Sequence, residues 1–235
     1  MPVVTIEGYL GSGYQTIGRS VAEKLGIDFV DRLILSKIAK EMDKHLAEIV
    51  DLQKKPEEKS FTERITDNLL KALEKSALSG GGADPFFGHG IENLLSSPYK
   101  DFPHNEDLVE NMDFSKAIKK VINEIAKQGS VLILGRGASG VLRNDNTALK
   151  VGIYCDFDVR IKKYAKREDI SDDEARNKIL EYDEGKKNYY LNIFQKQPLD
   201  PSIFNIIFNS ELLPEDEIID DICENAKKYL SKRSK

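Results

Sequence analysis

Four β-branched residues, Val3 to Ile6, run through Glu7 into "GYLGSGYQT", Gly8 to Thr16, and the chain then turns helical from Gln15 to Leu25. Ile17, Val21 and Leu25 form the apolar stripe, and Gly26 ends it. A strand joined to a helix by a glycine loop cannot close a tight hairpin, so the chain must cross the sheet. The same alternation recurs downstream. "IDFVD" reads as a second strand ending at Asp31. Phe114, Ala117, Ile118, Val121, Ile122 and Ile125 form a helical stripe stopped by Gly129, ahead of the apolar run "SVLILG". "LKVGIYCD" reads as a further strand and "IFNIIFN" as a late one. Ser171 and Glu174 make a capping box for a helix running toward Phe194, and Glu215 to Ser231 is the last helix, acidic at its start and basic toward its end. Strands alternating with helices predict an α/β fold with a mainly parallel sheet covered on both faces.

The 235 residues, 40% of them apolar, suffice for one sizeable domain over 1–235. Its formal charge of -5 comes from interspersed acids and bases, so no basic stripe calls for nucleic acid. Cys155 and Cys223 stand far apart with no CxxC, and His45, His89 and His104 fall in no metal spacing. Both cysteines read as reduced core residues. The first apolar run is too short for a signal-peptide core, and nowhere do about 18 apolar residues run together. A soluble cytoplasmic protein with no membrane partner is the expectation.

Helical periodicity is also expected from Leu33 to Val50 and, after the charged break "QKKPEEKS", from Phe61 to Leu78. Between Ser79 and Asp107 the segments "SGGGADPFFGHG" and "SSPYKDFPHNED" carry turn residues without periodicity. A loop of that length is either a functional excursion or a surface insertion.

Gly8, Gly11 and Gly13 suit a phosphate loop, whose backbone must bend through positive φ and aim N–H groups at an anion lying on a helix N-terminus. In G-x-x-x-x-G-K-[ST], Gly8 and Gly13 are the two fixed glycines, but Tyr14 takes the lysine position and Gln15 the hydroxyl position. Thr16 offers a hydroxyl one residue later, and Arg19 reads as a solvated side chain. Two rivals remain at this level. Gly11-Ser12-Gly13 begins a dinucleotide GxGxxG that fails at Thr16, and a purely structural strand-to-helix turn also explains three glycines.

Read in order, the loop, "FVDRLILSKIAKE", "VLILGRGASGVLR", "VGIYCDFDVRIKKYAKRE", "EYDEGKKNYY" and "IIFNSELLPEDEIIDDI" resemble the cytidylate kinase-like family, over residues 3–40 and 114–228. The resemblance implies a three-layer P-loop NTPase fold with a helical insertion at about 51–112 and a basic helical lid at about 160–195. It implies ATP with Mg2+ as donor, and a nucleoside monophosphate, a pyrimidine such as CMP, as acceptor. Gly8, Gly11, Ser12, Gly13, Tyr14, Gln15 and Thr16 would then cradle the donor phosphates, with Thr16 toward the metal. Relatives in this branch read more like "REYGSGGREIG", so the absent lysine resembles a branch feature. Tyr14 and Gln15 here replace a glycine and an arginine, leaving no cation in the loop.

Arg136 in "LGRGASG" is similar in place to the arginine of the family's "DGRD", although Leu134 and Gly137 occupy its two acidic positions. The resemblance assigns Arg136, Asp31 and Lys37 to the acceptor. Pairing with a strand-end carboxylate, a helix N-cap and an exposed lysine are their respective plain readings. Arg160, Lys163 and Arg167 recur at helical spacing, and Lys186 and Lys187 come from the next helix. By resemblance to the family's lid, Arg160, Arg167 and Lys187 contact phosphate. A solvated face balanced by Asp169, Asp172, Asp173 and Glu174 is the alternative. Of the paired Tyr189 and Tyr190, at least one belongs to the core. The resulting expectation is ATP-dependent phosphoryl transfer to a nucleoside monophosphate. Its rivals are a catalytically weak nucleotide-binding module, acting as a sensor or holding a partner through the Ser79 to Asp107 segment, and a dinucleotide-dependent oxidoreductase.

Overall fold

The computed structural model describes residues 2–36, 98–99 and 108–233. Lys37, the helix expected at 61–78 and nearly all of the 51–112 insertion lie outside the described residues. Five strands form one sheet: β1 (Val3–Gly8), β2 (Asp28–Val30), β3 (Val131–Leu134), β4 (Ala148–Tyr154) and β5 (Ile206–Asn209). Their order is β2-β3-β1-β4-β5, and every pair is parallel, with Val3 facing Val131 on one side and Ala148 on the other. The helices are α1 (Tyr14–Leu25), α2 (Leu108–Gln128), α3 (Ala138–Val141), α4 (Phe157–Glu168), α5 (Asp172–Phe194) and α6 (Glu215–Arg233).

Period-two alternation divides the core. Val4, Ile6, Leu132 and Leu134 pack toward α1 and α6, joining Ile17, Val21, Ile218 and Ile222. Val3, Val131 and Ile133 face the other way, toward Ile118, Val121 and Ile125 of α2. Both faces are covered, which is why the strands read as near-continuous apolar runs. Leu10, Ile161, Ala165, Ala175 and Ile179 form a third cluster where α4 and α5 meet the loop.

Boundaries differ from expectation where a side chain caps instead of pairing. The strand at "IDFVD" stops at Val30, because Asp31 Oδ1 accepts from Leu33 N (2.9 Å) and Ile34 N (3.1 Å) and starts a helical turn at 32–36. Within "IFNIIFN" only Ile206–Asn209 pairs, and Pro201–Ile203 is a 3-10 turn capped by Asp200. α2 begins at Leu108, upstream of the residues whose stripe announced it. Within the stretch expected as a lid, about 160–195, the far end of α5 places both Tyr189 and Tyr190, with Phe194, in the main core. Cys155 and Cys223 are free and buried, as read. No helix among the described residues is long and apolar enough to cross a membrane.

β1 is flanked by β3 and β4; the chain leaves β1 toward β2 on one side and leaves β3 toward β4 on the other, so a crevice opens beyond the carboxyl ends of β1 and β3. The glycine loop and the "GRG" turn both lie there.

Candidate active site around the glycine loop

The loop's glycines are required by contact as well as by φ. Gly11 and Gly13 adopt φ 84° and 81°. A Cβ on Gly11 would stand 2.7 Å from the Arg160 carbonyl oxygen, and one on Gly8 would stand 2.5 Å from Tyr14 Cβ. Ser12 N donates to Tyr9 O (3.1 Å), and Ser12 O accepts from Ser210 Oγ (2.7 Å), which ties the loop to the end of β5. Ser12 Oγ is buried without a hydrogen-bond partner among the described residues. α1 then starts from Gly13 with no side-chain cap and no acid in its first turn. Its first N–H groups and the positive end of its dipole are thus left for an anion, and the Glu215 carboxylate lies beside Gly13, 2.8 Å from where a Cβ would stand. Gln15 and Thr16 are exposed there.

Tyr14 occupies the lysine position and is 4% exposed. Its hydroxyl bonds Tyr182, and burial pushes its pKa well up, so it stays a neutral phenol. Behind it lies a cation that sequence reading assigned to the lid. Lys186, on α5, has 0% exposure; its Nζ donates to Gly8 O at 2.6 Å and lies 3.2 Å from Glu7 Oε2. The rings of Tyr9, Tyr14, Tyr99 and Tyr190 surround Nζ at 5.3–5.8 Å. Desolvation pulls the Lys186 pKa down, and the Glu7 carboxylate opposes that pull. A signal for this burial exists in the sequence: Ile179, Tyr182, Lys186, Tyr189 and Tyr190 share one helical stripe, whereas Lys187 falls off it and is exposed.

Arg136 sits between Gly135 and Gly137, and all three have positive φ, 75°, 57° and 70°. For a side-chain residue such as arginine this is strained backbone. Two hydroxyls hold it. Arg136 N donates to Tyr99 Oη and Tyr189 Oη donates to Arg136 O, each at 2.7 Å. The guanidinium lies 5.0 Å over the Tyr99 ring and lines a cavity of about 400 Å³. That cavity also reaches Gln15, Thr16, Arg19, Phe29, Asp31, Arg32 and Tyr182, so it joins the start of α1 to the "GRG" turn. Three arginines and one aspartate line it beside aromatic rings. Asp31 therefore caps a helical turn and borders the cavity, so its two readings are compatible. Arg19, read as solvated, is exposed but stacks 4.8 Å over Phe29 at the rim.

The "GRG" turn is also pinned from below. A Cβ on Gly137 would stand 2.5 Å from the Phe194 ring. Gly137→Ala, which adds left-handed strain to overpacking, is expected to destabilise the fold by roughly 2–5 kcal/mol, read as the shift of a urea unfolding curve.

Of the three lid residues, Arg160 and Lys187 line one cavity and Arg167 stands apart from them. Arg160, 5% exposed, forms a two-pronged pair with Asp183 (3.1 and 2.7 Å) and donates to Leu10 O (3.1 Å), so it braces the loop from outside. Lys187 shares with Arg160, Asp183 and Glu184 a second cavity, of about 670 Å³, on that outer side. Arg167 is exposed in the last turn of α4, paired with Glu168 at 2.8 Å and stacked over Tyr164. Among the described residues no group of three or more His, Cys, Asp or Glu could hold a metal ion. The exposed Thr16 hydroxyl and the buried Ser12 hydroxyl are oxygen groups of the loop that could help to hold a divalent ion.

Comparison with known proteins agrees with this architecture. A cytidylate kinase of Methanopyrus kandleri is 29% identical over 116 residues, 46% of this chain and 60% of that one. The corresponding figures for a cytidylate kinase of Pyrococcus horikoshii are 38% over 87 residues, 37% and 44%. A shikimate kinase of Azobacteroides pseudotrichonymphae is 31% identical over 93 residues, 38% of this chain and 52% of the relative. The chain thus spans about half the length of the relatives it matches. In structure, an uncharacterized protein from Eubacterium ventriosum superposes with a TM-score of 0.58 at 15% identity, covering 97% of this chain and 99% of that one; the likeness is one of fold. The sequence matches the family description over residues 3–212, nearly its whole length, and the chain belongs to the cytidylate kinase-like family.

Proposed function

We propose that this protein transfers the terminal phosphate of ATP to a nucleoside monophosphate, a pyrimidine such as CMP. One observation carries the reading: a cavity of about 400 Å³ with three arginines and several aromatic rings opens beside the uncapped N-terminus of α1. In this reading the donor phosphates lie against the first-turn N–H groups of α1, held by backbone donors of Gly11 and of Gly13 to Thr16, while Ser12 N stays on Tyr9 O. The acceptor phosphate faces Arg136, with Arg19 and Arg32 at the rim, and the acceptor base lies among Phe29, Tyr99 and Tyr182. An acceptor phosphate oxygen attacks the terminal phosphorus of ATP, the bond to the bridging oxygen breaks, and ADP leaves. The protein's part is positioning and charge. Arg136 stabilises negative charge on the transferring group, Arg160 keeps the loop in shape through Leu10, and Lys187 and Arg167 approach from the lid. Thr16 would help to hold magnesium, which would supply charge neutralisation at the donor phosphates.

The test is mass-resolved product formation from the purified protein with magnesium ATP and a panel of CMP, dCMP, UMP, AMP and shikimate, beside an ATP-only control. A new diphosphate is the expected result and names the acceptor; shikimate phosphate alone would replace the acceptor class. The buried Tyr14 in the lysine position favours a second reading, a nucleotide-binding protein with little transfer. ATP binding without any product across the panel would establish that reading and end the first.

A further inference from the structure

We infer that Lys186 is the cation of the phosphate loop, supplied from α5 in place of the lysine that position 14 lacks. The inference rests on the proposed function, since it concerns how the loop holds donor phosphates. A lysine within a phosphate loop places positive charge beside the β- and γ-phosphates. Here that direction belongs to Tyr14, whose Cβ lies beside Gly8 and whose ring centroid is 5.5 Å from Lys186 Nζ. The ammonium therefore lies over the ring that replaced the lysine, bonded to the carbonyl of the loop's first glycine. Glu7 sits at the end of β1, beneath the loop, and the four phenol rings complete the enclosure. Glu7 partly offsets the ammonium, but the positive end of the pair lies on the loop side, against Gly8 O, and no water screens it there. Lys186 is thus a positioning residue: it acts on the phosphates through the loop and needs no direct contact with them.

Charge relocation separates this role from a merely structural one. Lys186→Gln, made on a Glu7→Gln background so that no orphaned carboxylate repels the anion, keeps a donor for Gly8 O but removes the charge. It is expected to weaken binding of ATP, and of inorganic tripolyphosphate as a probe without a base, by at least tenfold each relative to Glu7→Gln alone. Tyr14→Lys added to this pair returns a cation to the loop and is expected to recover most of that loss, which repacking alone does not predict. Unchanged affinities in a folded Glu7→Gln/Lys186→Gln protein, or no recovery in the folded triple variant, would overturn the inference. Should the pair not fold, Tyr14→Lys alone decides. If Lys186 already provides the charge, ATP affinity rises less than threefold. A rise of threefold or more means the loop lacked its cation and removes Lys186 from the role. A wild-type protein that binds neither ATP nor tripolyphosphate would end the proposed function itself, whereas binding that ignores Lys186 ends only this inference.

Discussion

Lys186→Met is expected to destabilise the fold by about 3–5 kcal/mol, because it leaves the Glu7 carboxylate buried and unpaired. For a chain of this size that loss lowers Tm by roughly 6–20 °C. Most of it is expected to return in the double variant Glu7→Gln/Lys186→Met, since removing both charges abolishes the orphaned ion and leaves an apolar side chain among the tyrosine rings. Urea unfolding of the wild type, both single variants and the double variant closes the cycle. A single-variant loss below about 1 kcal/mol would show that Lys186 and Glu7 are not a desolvated pair in solution. The four tyrosines contribute no competing titration near neutral pH, because burial pushes the phenols of Tyr9, Tyr14, Tyr99 and Tyr190 above their ordinary range.

Arg136→Ala and Arg136→Gly are both expected to lower kcat/KM by about 10²–10³-fold, the range for losing one pre-oriented charged donor at a reacting centre. Their stabilities should differ. At φ 57° alanine keeps the left-handed strain that arginine bears, while glycine relieves it, so the Gly variant should be about 1–2 kcal/mol more stable than the Ala variant. Steady-state turnover with the acceptor found in the panel, together with urea unfolding of both proteins, checks the pair. Full turnover in either folded variant would remove Arg136 from the chemistry. Equal stabilities would show that Tyr99 and Tyr189, which hold this backbone through its N–H and C=O, dictate the turn with no cost in strain.

Much of the site was legible because its determinants are local. Of the three loop glycines read as bending through positive φ, Gly11 and Gly13 do so and Gly8 does not, and Asp31 before "RLIL" caps the turn that follows it. The cavity required pairing of distant segments. Arg136 and Asp31 stand 105 positions apart, and only the adjacency of β2 and β3 brings their strand ends together. Arg160 and Arg167 look equivalent as members of one basic helical face, yet one lies against Asp183 and Leu10 while the other is exposed at the helix end. Charge spacing reports the helix but not which flank it buries.

By itself the sequence determined the alternation of strands and helices, the glycine loop with its missing lysine, and the parallel sheet, since hydrophobic period and backbone sterics act over a few residues. Tertiary structure alone decided where the replacing charge comes from. Lys186 is 178 positions from Gly8, and it becomes a loop residue because the far end of α5 is anchored in the core by Tyr189, Tyr190 and Phe194. That anchorage turns the Lys186 stripe inward, so its ammonium must find Glu7 and a carbonyl where no water is available.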